Sequence, residues 1–108
     1  MQQVNAAMVL VTVSGKAEAD KITSVLLESR KAACVNIIPK VSSRFWWKGK
    51  IDSADEMLLL IKTRSSAVLE IIELVKKNHS YTVPEVIALP IIAGNKDYLS
   101  WIDNEVPE

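Results

Sequence analysis

An α+β fold is predicted for this chain by three observations. Apolar, β-branched runs alternate with amphipathic helical stretches, two of the runs are joined by nothing more than a tight turn, and the order closes as two βαβ halves followed by a short helix. At 108 residues, nearly half of them apolar, residues 1–108 fit one domain around a single core, with no linker or internal repeat to divide them.

The first run, Ala6 to Val13, reads Ala-Ala-Met-Val-Leu-Val-Thr-Val, a strand that is apolar on both faces. Ser14-Gly15 punctuates it and can open a helix, with Glu18 and Asp20 early enough to complement the dipole. Ala19, Ile22, Val25, Leu26 and Ser29 recur at helical spacing, so this helix covers one face of a sheet. Residues 34–38 return as a strand, Pro39 interrupts its ladder at an edge or bulge, and residues 41–47 resume it. Lys48-Gly49 is the turn, and Ile51 then leads through Asp52, Asp55 and Glu56 into residues 57–61, which are uniformly apolar and leave neither strand face polar. Ser65-Ser66 starts a second helix, with Val68, Ile71, Ile72 and Val75 on its stripe, Lys76 and Lys77 in its last turn and Asn78 as its cap. Beyond a polar link from His79, a strand is expected over residues 83–92, with Pro84 and Pro90 near its ends. Asn95 then caps a final helix whose Tyr98, Trp101 and Ile102 face inward.

Right-handed crossovers put both main helices on one side of a four-stranded sheet. The result is a ferredoxin-like βαβ-βαβ sandwich with a long central hairpin and a short C-terminal helix. Its other sheet face is apolar and uncovered. Each hairpin arm, at about fourteen residues, spans roughly 46 Å, whereas a domain of this size has a diameter on the order of 35 Å. The hairpin therefore projects, carrying Phe45, Trp46 and Trp47 next to its turn, and an exposed apolar patch of that kind implies an oligomer.

Thirteen basic residues balance thirteen acidic ones, which gives no electrostatic reason to expect nucleic acid or a membrane surface as partner. The aromatic residues near the turn could stack bases, but no basic Gly-aromatic motif accompanies them, and subunit packing accounts for them better. A single cysteine, Cys34, rules out a disulfide framework within the chain and a multi-cysteine zinc site. With no signal peptide or membrane span in the pattern, a cytoplasmic protein is expected. The sequence has no P-loop, dinucleotide fingerprint, Gly-x-Ser-x-Gly elbow or His-Glu-x-x-His. The turn after the first strand, Ser14-Gly15-Lys16-Ala17, lacks the arginine loop of an acylphosphatase.

Longer stretches carry a resemblance. Ala32-Ala33-Cys34-Val35-Asn36-Ile37-Ile38-Pro39, Phe45-Trp46-Trp47-Lys48-Gly49-Lys50-Ile51, Glu56, Ile61-Lys62-Thr63, His79-Ser80-Tyr81, Val83-Pro84-Glu85-Val86-Ile87-Ala88-Leu89-Pro90-Ile91 and Tyr98-Leu99-Ser100-Trp101 resemble, in order, the CutA divalent-cation-tolerance family. The resemblance implies a homotrimer in which long hairpins extend sheets across subunit boundaries, similar in plan to nitrogen-regulatory PII-type signalling proteins. It implies a role in tolerance of copper and other divalent cations, with no enzymatic reaction and no organic cofactor. The family often has His-Pro-Tyr where this chain has His79-Ser80-Tyr81. Some members carry a histidine at the place of Asn78 and a cysteine at the place of Val11, so His79 is what remains here of a copper site built from those groups.

His79, the one imidazole, reads either as a metal ligand needing two or three further donors from this chain or its neighbours, or as a helix-terminal histidine favoured by the dipole. Cys34 reads as a small buried hydrophobe rather than a nucleophile. Lys62 and Glu85 are charges inside apolar runs, and such charges reach a partner or a solvent-filled cleft. The resemblance puts them near a subunit boundary, where with Trp47 and Tyr81 they line a pocket for a small anionic ligand, or else form an intersubunit salt bridge. Asp52, Asp55 and Glu56 read as a hard-cation site or as a solvated strand edge. Two functions follow: a trimer that binds divalent metal, copper first, or a PII-like signalling or scaffold trimer whose clefts take a small anion or a partner protein.

Overall fold

The computed structural model describes residues 5–108. Within them run β1 (Ala6–Val13), α1 (Lys16–Glu28), β2 (Cys34–Trp47), β3 (Lys50–Arg64), α2 (Val68–Asn78), β4 (Val86–Ile91) and α3 (Lys96–Glu105), with a 3-10 turn at Ser65–Ala67 leading into α2. The strands form one sheet in the order β2-β3-β1-β4, every neighbour antiparallel. This is the ferredoxin-like arrangement expected from the order of elements.

Alternation divides the sheet into two unlike faces. Val9, Val11 and Val13 of β1 and Leu59, Ile61 and Thr63 of β3 point to the helical side and are fully buried. They pack with Ala19, Ile22 and Leu26 of α1 and Ile71 and Val75 of α2, the inward stripes read from helical spacing. Thr63 is tolerated there because its hydroxyl donates to the Lys31 carbonyl. On the other face the register aligns Leu10 with Leu60 and Ile87, and Thr12 with Leu58. α3 covers only one end of that face, where Arg64 Nε donates to the Val106 carbonyl at 2.7 Å and Tyr98 lies against Cys34. Leu10, Leu58 and Leu60 are left half-buried and Ile87 is exposed.

The hairpin turns at Lys48 (φ 50°) and Gly49 (φ 78°), two consecutive positive values that match a type I′ turn and the twist of its strands. A register shift between Ile38 and Val41 marks the bulge at Pro39. The hairpin gives the molecule a long axis of 47 Å against 27 and 22 Å, and near its tip the cross-strand pair Trp46 and Ile51 is exposed, Trp46 by 73%.

Four local expectations are corrected. β4 begins at Val86, not residue 83, because Pro84 has no N–H for the ladder, which leaves Val83 71% exposed in a loop. Glu85 therefore stands outside the strand. Ser29 is exposed rather than inward, and its hydroxyl returns to the Val25 carbonyl at 2.7 Å. In α3 only Ile102 is buried, whereas Tyr98 and Trp101 stay about 40% exposed because the helix covers just the end of the sheet. Glu56 is no solvated edge: it is 7% exposed.

Candidate functional site

α2 ends at Asn78, and His79 leaves the helix in extended conformation, which turns its imidazole back under the sheet end. The ring is fully enclosed, with its side chain 0% exposed. Nε2 meets the Thr12 carbonyl at 2.7 Å and Nδ1 meets the Tyr81 backbone N–H at 3.1 Å. A backbone N–H can only donate, so Nδ1 accepts and the ring proton sits on Nε2, donated to Thr12. Both nitrogens are thereby occupied, and the 3.6 Å approach of Nδ1 to Glu18 Oε1 is not an ion pair in this tautomer.

Glu18 binds the start of α1 to the turn after α2. Its Oε1 accepts the Ser14 N–H at 3.2 Å and its Oε2 accepts the Ser80 N–H at 2.9 Å. Burial pushes the Glu18 carboxyl up, but hydrogen bonds from Ser80 and Ser14 outweigh it, and the net position lies below the ordinary 4.5. Tyr81 continues the chain of contacts. Its ring is tilted against His79 with centroids 4.7 Å apart, and its hydroxyl donates to Glu56 Oε2 at 2.9 Å. Burial, the bond to Glu56 and the charges of Glu56 and Glu18 push that phenol up to about 12.

Glu56 and Tyr81 of this cluster line an open cleft of about 860 Å³ between the hairpin and the loop before β4. The pairs Val41 with Glu56, Ser43 with Ala54, and Phe45 with Asp52 put Phe45, Trp47, Asp52 and Glu56 on one face of the hairpin, and all four line the cleft. Tyr81, Val83 and Glu85 form the facing wall. Of the residues grouped from the sequence, Trp47, Tyr81 and Glu85 thus meet, while Lys62 does not. Lys62 lies further along β3 opposite Cys34 and Met8, hydrogen-bonded to Asn36 Oδ1. Cys34 is a free thiol, 3.8 Å from the same Asn36 oxygen. His79 sits beneath the cleft rather than in its lining.

Among the described residues no three His, Cys, Asp or Glu side chains come close enough together to hold a metal ion, so one chain does not supply a complete metal site from these groups. No helix among them is long and apolar enough to cross a membrane.

Comparison with known proteins places this geometry in a family. The model of the family described as CutA1 divalent ion tolerance protein matches residues 7–105. The Divalent-cation tolerance protein CutA of Archaeoglobus fulgidus is 46% identical over 98 residues, 91% of this chain and 95% of that protein. Protein CutA 1, chloroplastic, of Oryza sativa is 46% identical over 101 residues, 94% of this chain and 57% of that protein, so the chain spans little more than half of the rice protein's length. The crystal structure of CutA1 from Oryza sativa superposes with a TM-score of 0.94 at 45% identity, covering 98% of this chain and 97% of that one. The divalent cation tolerance protein from Thermus thermophilus gives 0.92 at 43% identity, covering 94% and 99%. On that breadth of match, in sequence and in fold, the chain belongs to the CutA1 divalent ion tolerance protein family.

Proposed function

We propose that this protein is a non-enzymatic homotrimer that binds divalent metal ions, copper first, at or near its subunit boundaries and so contributes to metal tolerance. Family membership over residues 7–105 carries the reading, since relatives matched along most of the chain bear the name divalent-cation tolerance protein. The apolar sheet face supports assembly, because Leu10, Leu58, Leu60 and Ile87 gain from a neighbour that excludes water. A shared metal site accords with the donor count, which falls short within one chain among the described residues. His79 enters this reading as an imidazole donor once the turn at residues 79–81 opens and releases Nδ1 from the Tyr81 N–H. A cytoplasmic setting is proposed on the free thiol of Cys34 alone, since relatives are named for the chloroplast and the periplasm.

Sedimentation equilibrium and copper titration calorimetry on the purified protein test this. The expected result is about three times the monomer mass, with saturable copper uptake that weakens in His79→Ala. A monomer in solution, or uptake that never saturates, overturns the reading. Unchanged uptake by His79→Ala removes that residue from the site.

A further inference from the structure

Glu56 stands out on electrostatic grounds. It is 7% exposed, yet the group that meets it is the neutral Tyr81 hydroxyl, on Oε2 alone. Among the described residues it takes part in no ion pair. A carboxylate withdrawn from water is ordinarily matched by a positive charge, and here no positive side chain among the described residues of one chain meets it. Within one chain, the side that remains open faces the cleft of about 860 Å³.

The rest of the lining narrows what could supply the charge. Asp52 and Glu85 join Glu56 there, and Phe45, Trp47 and Tyr81 contribute aromatic rings. Arg44 also borders the cleft, but alternation places it on the opposite face of the hairpin, opposite Ser53. Lys62, on which the expectation of an anionic ligand rests, lies outside. A single metal ion does not suit this lining either, because no three acidic, His or Cys side chains among the described residues converge on one point. Negative charge that is plural but spread along aromatic walls is matched by positive charge that is also plural and spread, on a chain whose carbon atoms can lie against the rings.

We propose that the cleft binds a linear aliphatic polyamine, with one ammonium group on Glu56, another reaching Asp52 or Glu85, and its methylene chain against Trp47 and Tyr81. The inference does not rest on the metal-tolerance reading, since it uses neither His79 nor a metal, but it requires the turn at residues 79–81 to stay closed so that Tyr81 lines the cleft.

Calorimetric titration of the full chain with spermidine at low ionic strength is the test. Saturable binding is expected, weakened about tenfold by Glu85→Gln. Glu85 lies on the exposed rim, so this variant folds as the parent does. Glu56→Gln should weaken binding by more than that, and Trp47→Ala should weaken it as well. A neutral alkanediol of matching length should give no saturable heat, and magnesium at equal charge should not displace spermidine. The proposal is overturned by the absence of saturable heat, by equal affinity in Glu85→Gln and the parent, or by displacement with magnesium. A crystal structure of the assembled protein with a neighbouring copy's lysine or arginine seated on Glu56 overturns it too.

Discussion

The Tyr81 hydroxyl donates to Glu56 Oε2 across 2.9 Å and ties the turn after α2 to the root of the hairpin. Removing either partner leaves the other without its bond. Tyr81→Phe should therefore cost about 1–3 kcal/mol, measured by chemical denaturation. The same bond fixes an alkaline signature. Tyr81 titrates near 12 in the folded protein against 10.0 for a free phenol, so its contribution is complete below pH 10 and is lost as pH rises through about 12. Ultraviolet titration should show a late phenol step that disappears in Tyr81→Phe.

Glu18 sets the acid limb. Its folded value is lowered, so the stability it contributes is present above the ordinary 4.5 and is lost as pH falls through the folded value. Calorimetric melting across that range should show Tm falling below pH 4.5. Glu18→Gln should melt lower at neutral pH and decline less steeply in acid.

His79→Ala breaks two bonds at once, to the Thr12 carbonyl and to the Tyr81 N–H, in a fully enclosed position. Tm should fall by about 5–15 °C. A Tm unchanged from the parent would show that the ring is not held as described.

Leu60→Glu places a charge in the middle of the uncovered sheet face, and Trp46→Glu places one beside the hairpin turn. Each should reduce the mass measured by light scattering toward that of one chain. A parent protein that is already a stable monomer would leave both variants without effect on mass.

Most of the architecture was legible because its determinants are local or periodic. Lys48-Gly49 is the one place between the strands where a turn with positive φ is easily made, and counting outward from it yields the observed pairs as far as Val41 with Glu56, beyond which the bulge at Pro39 shifts the register by one. The run at residues 57–61 showed that both faces of β3 are apolar. The site was harder to read. His79 stood out as the sole imidazole, but its partners are backbone groups at Thr12 and Tyr81, which no residue type advertises. Glu18 read as a complement to its helix dipole, and its bond to Ser80 exists only once α1 and α2 pack together. Lys62 and Glu85 were grouped because both are charges in apolar runs. Six residues of strand, about 20 Å, separate Lys62 from Glu56. Parity did contain the better signal: counted from the turn, Glu56 shares a face with Asp52 and Phe45.

Pro39 and the register shift between Ile38 and Val41 interrupt β2, which forms one of the two edges of the sheet. An unbroken edge of that strand's 14 residues would accept copy upon copy and grow into a fibril. A proline without an N–H, beside a kink that twists the edge, limits any added strand to a short stretch of matched backbone. Closed symmetry is then favoured over an open filament. The break in the strand thus bounds the growth of any edge-to-edge assembly as well as the shape of the arm.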